Sequence, residues 1–372
     1  MNTQTIQKNT SEQRLLSLDA LRGFDMFWLV GAAGICRGLA NLADWPWLAA
    51  QMRHPEWHGF TFFDLIFPLF LFIAGISFPY SLESSLRKGC AQKAFYARIV
   101  KRALLLVFLG MIHSGLLKLD FANQRYPSVL GLIGMSWMFA AFIFMNTRWR
   151  GRILWCAGIL VFSWLALVFF TAPDYPGAHS FSREGNIGGY IERMILPGKL
   201  YGGIYDGGLV CIIPATATAL LGMMTGAFVK SRREGLTPPR KAAGMAAAGV
   251  ALVALGLAWD LVLPINKKLW DSSYVCFTGG LSLLLFALFY WVIDIRGHRR
   301  WAFFFTVIGL NSITIYMAVQ IIDFKFTANY IFGGIISLFP GNWTMLLAAI
   351  GTITVRWLFL YFLYKQKIFL KV

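Results

Sequence analysis

About ten apolar runs, each close to the length that a helix needs to cross hydrocarbon, leave this chain few folds to choose from. They lie near residues 21–41, 60–82, 103–119, 128–146, 152–172, 209–229, 242–263, 274–294, 302–322 and 343–364. Inside a bilayer no water satisfies a backbone amide, so segments of this length must bond internally, as helices. Composition agrees: 58% of residues are hydrophobic and 14% are charged, where a soluble domain carries about 25% charge. The expected class is an all-α polytopic membrane protein with ten spans, embedded in the lipid bilayer.

The net charge of +17 would point a soluble chain toward nucleic acid or anionic lipid. Sorted by loop, however, the lysines and arginines fall about twice as often on one side of the spans as on the other. That bias predicts both termini on the cytoplasmic side and accounts for the charge without a nucleic-acid partner. Residues 1–14, "MNTQTIQKNTSEQR", read as a cytoplasmic tail without the apolar core of a signal peptide. Residues 15–372 read as a single transmembrane domain. The five cysteines show no metal-binding or redox spacing and are expected as packed thiols.

Two outer loops exceed simple connectors. Residues 38–59 and the Gly- and Tyr-rich segment 173–208 face the same compartment as 263–273, and together they suit a cap over a site. Beneath them the chain buries ionisable side chains, which are costly in hydrocarbon and are by default functional or paired. Asp64 lies in the second span within "FFDLIFPLF". The loop "HPEWHG" precedes it, and folding that loop back onto the helix start would bring His54 within reach of Asp64, fixing a tautomer and raising imidazole basicity. An interfacial histidine bonded to backbone is the plainer alternative, and a metal held by His54 and His58 lacks further ligands at a recognisable spacing. Asp19, Arg22 and Asp25 share a face near the cytoplasmic entry of the first span, either as a neutralising ladder or with Arg22 offered to a phosphate. Asn311, in the ninth span, is a donor to a neighbouring helix or to a ligand, and His113 is packed or lines the site. Asp206 opens the sixth span, where N-capping is the simple reading. For Arg356, in the last span, Asp260 or Asp294 are candidate partners.

Six stretches carry a resemblance: "SLDALRGFDMFW", "HPEWHGFTFFDLIFPLFLFIAG", "YDGGLV", "LPINKKLWDSSYV", "GLNSITIY" and "YKQKIFLKV". In one order and at matching spacing, from about residue 15 onward, they are similar to the heparan-α-glucosaminide N-acetyltransferase family of transmembrane acetyltransferases, in particular its bacterial members. The resemblance implies an enzyme of a bacterial cytoplasmic membrane that takes acetyl from cytoplasmic acetyl-CoA and delivers it to the amino group of a glucosamine-type sugar on the other side. The family's active-site histidine, three residues before a tryptophan, falls on His54 ahead of Trp57. Its Asp-Leu-Ile-x-Pro motif falls on Asp64. A family asparagine in the first span has no counterpart, with Gly31 nearby, and a family histidine in the ninth is replaced by Val319 or Gln320.

On this reading Arg22, set by Asp19, and the tail lysines Lys365 and Lys371 would pair with the CoA phosphates at the cytoplasmic mouth, the pantetheine arm would thread between helices, and the thioester would end at His54. Asp206, Asn311 and Trp57 would bind the acceptor. His54 serves either as the base that deprotonates the amine or as an acetyl carrier, with no metal required. An amino-sugar transporter would call for repeat symmetry that the chain does not show, and a non-catalytic membrane protein would not need Asp64 buried behind His54. A homodimer is compatible with all three.

Overall fold

The computed structural model describes residues 15–205, 207–339 and 341–370. Each of the ten apolar runs falls on helix, and the described residues contain no strand. The helices are α1 (Leu16–Phe27), α2 (Ala33–Leu42), α3 (Pro46–Gln51), α4 (Ile66–Arg87, preceded by a 3-10 turn at Phe62–Leu65), α5 (Gln92–His113), α6 (Val129–Asn146) and α7 (Trp149–Phe169). They continue with α8 (Ile187–Ile195), α9 (Ile212–Lys230), α10 (Pro238–Asp260), α11 (Ser272–Phe289), α12 (Ala302–Leu310), α13 (Ser312–Ile321), α14 (Phe324–Ser337) and α15 (Asn342–Lys365). Among the described residues, seven helices are long and apolar enough to cross a membrane, and the bent pair α12–α13 makes an eighth candidate.

Two runs depart from the straight spans expected of them. The ninth breaks at Asn311, where α12 and α13 meet at 69°. Asn311 leaves the helical region with ψ at 35° because its side chain serves another segment: its Nδ2 donates to the Ile368 carbonyl at 3.0 Å. The first run kinks within Trp28–Ala32, between α1 and α2, where Gly31 takes a φ of 141° that a β-carbon would resist. Arg356 reaches across from α15 and donates to the Val30 carbonyl there. Its partner is thus the kink itself, and neither Asp260 nor Asp294.

The bundle is layered around α9, which buries 72% of its apolar window against 22% for α7 and α10; those two stand at the rim, facing lipid. The close approach of α4 to α9 depends on a pair of glycines. A β-carbon on Gly222 would sit 2.1 Å from the Phe72 carbonyl oxygen, and one on Gly75 would sit 2.4 Å from that of Ala219. Without a hydrophobic driving force between helices in lipid, such backbone proximity supplies much of the packing attraction. Apolar side chains of α1, α4, α10 and α11 form one core around Leu21, Phe72, Ile73 and Phe286, while α5, α6, α7 and α9 meet in a second around Trp137, Leu132 and Leu220.

The described part of the long segment, residues 173–205 with 207 and 208, is held by its own bonds. Arg193 grips Asp174 through two contacts of 2.7 and 2.8 Å, which holds that exposed carboxyl below the usual range. Glu192, fully buried, accepts from the amides of Gly207, Gly208, Leu209 and Val210 at 2.7–3.3 Å and ties α8 to the start of α9. Among the described residues none of the five cysteines forms a disulfide.

Candidate active site

The loop between α3 and α4 is folded by short-range chemistry. Thr61 and Asp64 form a capping box: the Thr61 amide donates to Asp64 Oδ2 at 3.0 Å, which starts the helix and turns the carboxylate back toward the loop. Gly59 donates its amide to the Ile265 carbonyl at 2.8 Å, latching the loop to the segment between α10 and α11. From α11, the Tyr274 hydroxyl donates to the Asp64 carbonyl at 2.7 Å. The consequence is that the expected pair is formed. His54 Nδ1 lies 2.6 Å from Asp64 Oδ1, across ten residues of sequence.

The two partners differ in access. The Asp64 side chain is fully buried, while that of His54 is 45% exposed. An ionised carboxylate bonded to Nδ1 makes Nδ1 the protonated nitrogen of a neutral imidazole, leaving the lone pair on Nε2. A third group completes the cluster: Lys267 Nζ lies 3.3 Å from both ring nitrogens and 3.4 Å from Asp64 Oδ1. Burial, with neighbouring Lys268 adding to it, lowers the Lys267 pKa from the ordinary lysine value, and Asp64 opposes that shift.

Two cavities meet at this cluster. One, of about 160 Å³, is apolar and runs between Met26 and Leu29 of the first run, Ile66 and Phe70 of α4, Ile133 of α6 and Tyr316 of α13. The other, of about 450 Å³, is polar and is walled by Glu56, Trp57, Arg125, Arg183, Lys268 and Tyr205. His54, Phe67, Val129 and Lys267 line both. His54 therefore sits where an apolar cavity and a charged pocket meet.

The other expected site residues are placed as follows. Trp57 lines the polar cavity and donates its ring N–H to the Phe181 carbonyl at 2.7 Å, clamping the loop 173–208 over it. Arg22 bonds Ser77 at 2.8 Å and Asp19 at 3.5 Å, so that half of the expected ladder forms; Asp25 is fully buried, and its carboxyl oxygens have no hydrogen-bond partner among the described residues. Lys365 is exposed, with its ammonium 5.4 Å from the Tyr361 ring. Asn311 lines neither cavity, being committed to the C-terminal segment, whereas its neighbour Ser312 lines the apolar one. His113 stacks on Tyr316 at 4.5 Å and reaches the apolar cavity only through that ring. Asp206 and Lys371 lie outside the described residues. His58 faces Asn266 at 3.4 Å, and burial, with His179 adding to it, lowers its pKa. Neither Gly31 nor Gln320 lines either cavity. Among the described residues no group of three or more histidine, cysteine or acidic side chains could hold a metal.

Reading the residues in order missed Lys267, which is 213 positions from His54. The signal was in view, since "NKKLW" is the most basic part of a loop expected on the same side as the cap loops 38–59 and 173–208. Arg125 and Arg183, from two further loops, were equally invisible as lining residues until the loops were folded together.

Against known proteins, residues 14–184 match the family described as "Domain of unknown function (DUF5009)". The chain is 26% identical over 433 residues to heparan-alpha-glucosaminide N-acetyltransferase of Mus musculus, an alignment that covers 98% of this chain and 61% of that protein. It is also 26% identical over 426 residues to the Homo sapiens protein of the same name, covering 96% and 60%. The chain thus spans about three fifths of the length of the curated relatives it matches.

Proposed function

Taking this integral membrane protein as a distant member of the heparan-α-glucosaminide N-acetyltransferase family, we propose that it transfers an acetyl group from acetyl-CoA to the amino group of a glucosamine-type sugar, from the cytoplasmic to the outer face of a bacterial inner membrane. The observation that carries the reading is the 2.6 Å His54–Asp64 pair at the junction of the two cavities. The loops 38–59 and 173–208 form the cap over that junction.

The apolar cavity suits a thin, weakly polar pantetheine arm, whose nucleotide cannot cross hydrocarbon and stays where Arg22 and Lys365 supply charge. The polar cavity suits a sugar, with Trp57 as a wall. Because both cavities reach His54, donor and acceptor are held together, which favours direct transfer over an acetyl-imidazole. Asp64 holds Nδ1–H in place, so His54 Nε2 accepts a proton from the attacking amine. The amine nitrogen bonds to the thioester carbon, the C–S bond breaks, and the proton on His54 passes to the leaving thiolate. Lys267, which in the resting site donates to Nε2, is positioned to turn to the oxyanion that develops on the carbonyl oxygen.

The test is acetyl transfer across sealed vesicles carrying the purified protein, with acetyl-CoA on one side and glucosamine on the other. Acetylated sugar should accumulate opposite the acetyl-CoA, and His54→Ala should lower this by about 100-fold or more while the protein stays monodisperse in detergent. Full activity in that variant would overturn the assignment.

A further inference from the structure

A third cavity, of about 510 Å³, opens between α2, α14 and α15, away from the polar pocket. Three cations line it, Arg37, Lys325 and Arg356, and no carboxylate among the described residues does. Asp323, at the N-cap of α14, bears on Arg356 electrostatically, but its Oδ1 already accepts from the amides of Lys325 and Phe326 at 3.0 and 2.9 Å. Arg356 spends one N–H on the Val30 carbonyl, and its buried Nε has no partner among the described residues. Unbalanced positive charge this close to hydrocarbon is expensive unless an anion joins it.

The rest of the cavity describes that anion's body. Its walls carry Gly31, Gly34, Ala348 and Ala349, whose small side chains leave a groove, and its rim carries Leu29 and Met345, 40% and 51% exposed. Arg37 reaches the His54 loop, donating to the Met52 carbonyl at 3.5 Å, and Arg356 stands at the Gly31 turn. Asn41 and Asn342 bond each other at 3.3 Å and hold the outer ends of α2 and α15 together above the groove. A charged head against an apolar slot fits an amphiphile with a phosphate, as basic pockets between membrane helices do elsewhere.

We propose that this cavity binds an anionic phospholipid, its phosphate between Arg37, Lys325 and Arg356 and one acyl chain along the glycine- and alanine-lined groove. The bound lipid also reaches the active site. Leu29 and Phe63 line both this cavity and the apolar one, and the Phe63 ring packs 5.2 Å from that of His54. An occupied groove therefore supports Phe63 from behind, and through it the orientation of the imidazole.

Native mass spectrometry of the purified protein, without acetyl-CoA, tests the binding independently of the transferase reading. Dioleoyl phosphatidylglycerol should bind about tenfold more tightly than dioleoyl phosphatidylcholine, and the double variant Arg37→Gln with Lys325→Gln, which spares the kink contact of Arg356, should erase that preference. Glycerol phosphate, which has the anion but no tail, should not displace the lipid at millimolar concentration. Equal binding of the two lipids, or a preference kept by the double variant, would overturn the proposal. Displacement by glycerol phosphate would also overturn it, by making the site one for free phosphate.

Discussion

Asp64 and Glu192 are both carboxylates with fully buried side chains, and they answer the cost of burial in different ways. Glu192 is surrounded by four consecutive backbone amides at the start of α9, which fix its charge in place. Asp64 is bonded to an imidazole, with an ammonium beside it, and that imidazole opens onto two cavities. Burial of a charge marks both residues as important. What lies on the far side of the charge separates a residue that holds the cap together from one that holds a proton acceptor.

The largest effect expected is on catalysis. His54→Ala should lower acetyl transfer by about 10²- to 10⁴-fold, the range of a lost general base, without moving the thermal unfolding midpoint by more than a few degrees. Glu192→Ala should do the reverse. Four amides lose their acceptor, at about 1–3 kcal/mol for each that stays dry, so the variant should lose roughly 3 kcal/mol or more of stability in a thermal melt. Its rate per folded molecule should stay within a few-fold of the parent. A Glu192 variant that folds normally and transfers slowly would erase the distinction between the two carboxylates.

Lys267 sharpens the Asp64 side of the contrast. Lys267→Met should cut kcat by about 10- to 100-fold with a small change in KM, because its contact matters most as charge develops on the carbonyl oxygen. Burial lowers the Lys267 pKa, so in the parent the rate should fall on the alkaline side below the ordinary lysine value of about 10.4, and that limb should vanish in the variant. A pH–rate profile checks both.

The smallest effect concerns stability alone. Asp271 caps α11, accepting from the Tyr274 amide at 2.8 Å, and burial pushes its pKa up to about 8. Between its unfolded value of about 3.9 and that folded value the native state binds the extra proton, so stability is highest at the acid end and falls as pH rises. Thermal midpoints measured from pH 5 to pH 8 should decline in the parent and flatten in Asp271→Asn.

Much of the fold was legible because the bilayer leaves one answer for a long apolar run, and every expected run is helical. Its breaks were not legible. Asn311 reads as one more polar residue inside a span until its side chain is seen bonding Ile368, and the turn at Gly31 depends on a guanidinium arriving from the last helix. The His54–Asp64 pair could be anticipated because both members sit within one loop and its helix start, where local geometry limits the options. Lys267 and Glu192 could not, since each acts through a contact made only when separate loops fold against one another. The same reasoning explains why Asn311, chosen for its chemistry, sits away from both cavities.

The account stands most directly on where acetyl-CoA's sulfur lies. A cryo-electron microscopy map of the protein in a lipid nanodisc with CoA should show the pantetheine arm in the apolar cavity between Met26, Ile66 and Tyr316, with its sulfur within about 4 Å of His54 Nε2, contact distance for such atoms. CoA bound elsewhere, with its sulfur remote from His54, would contradict it.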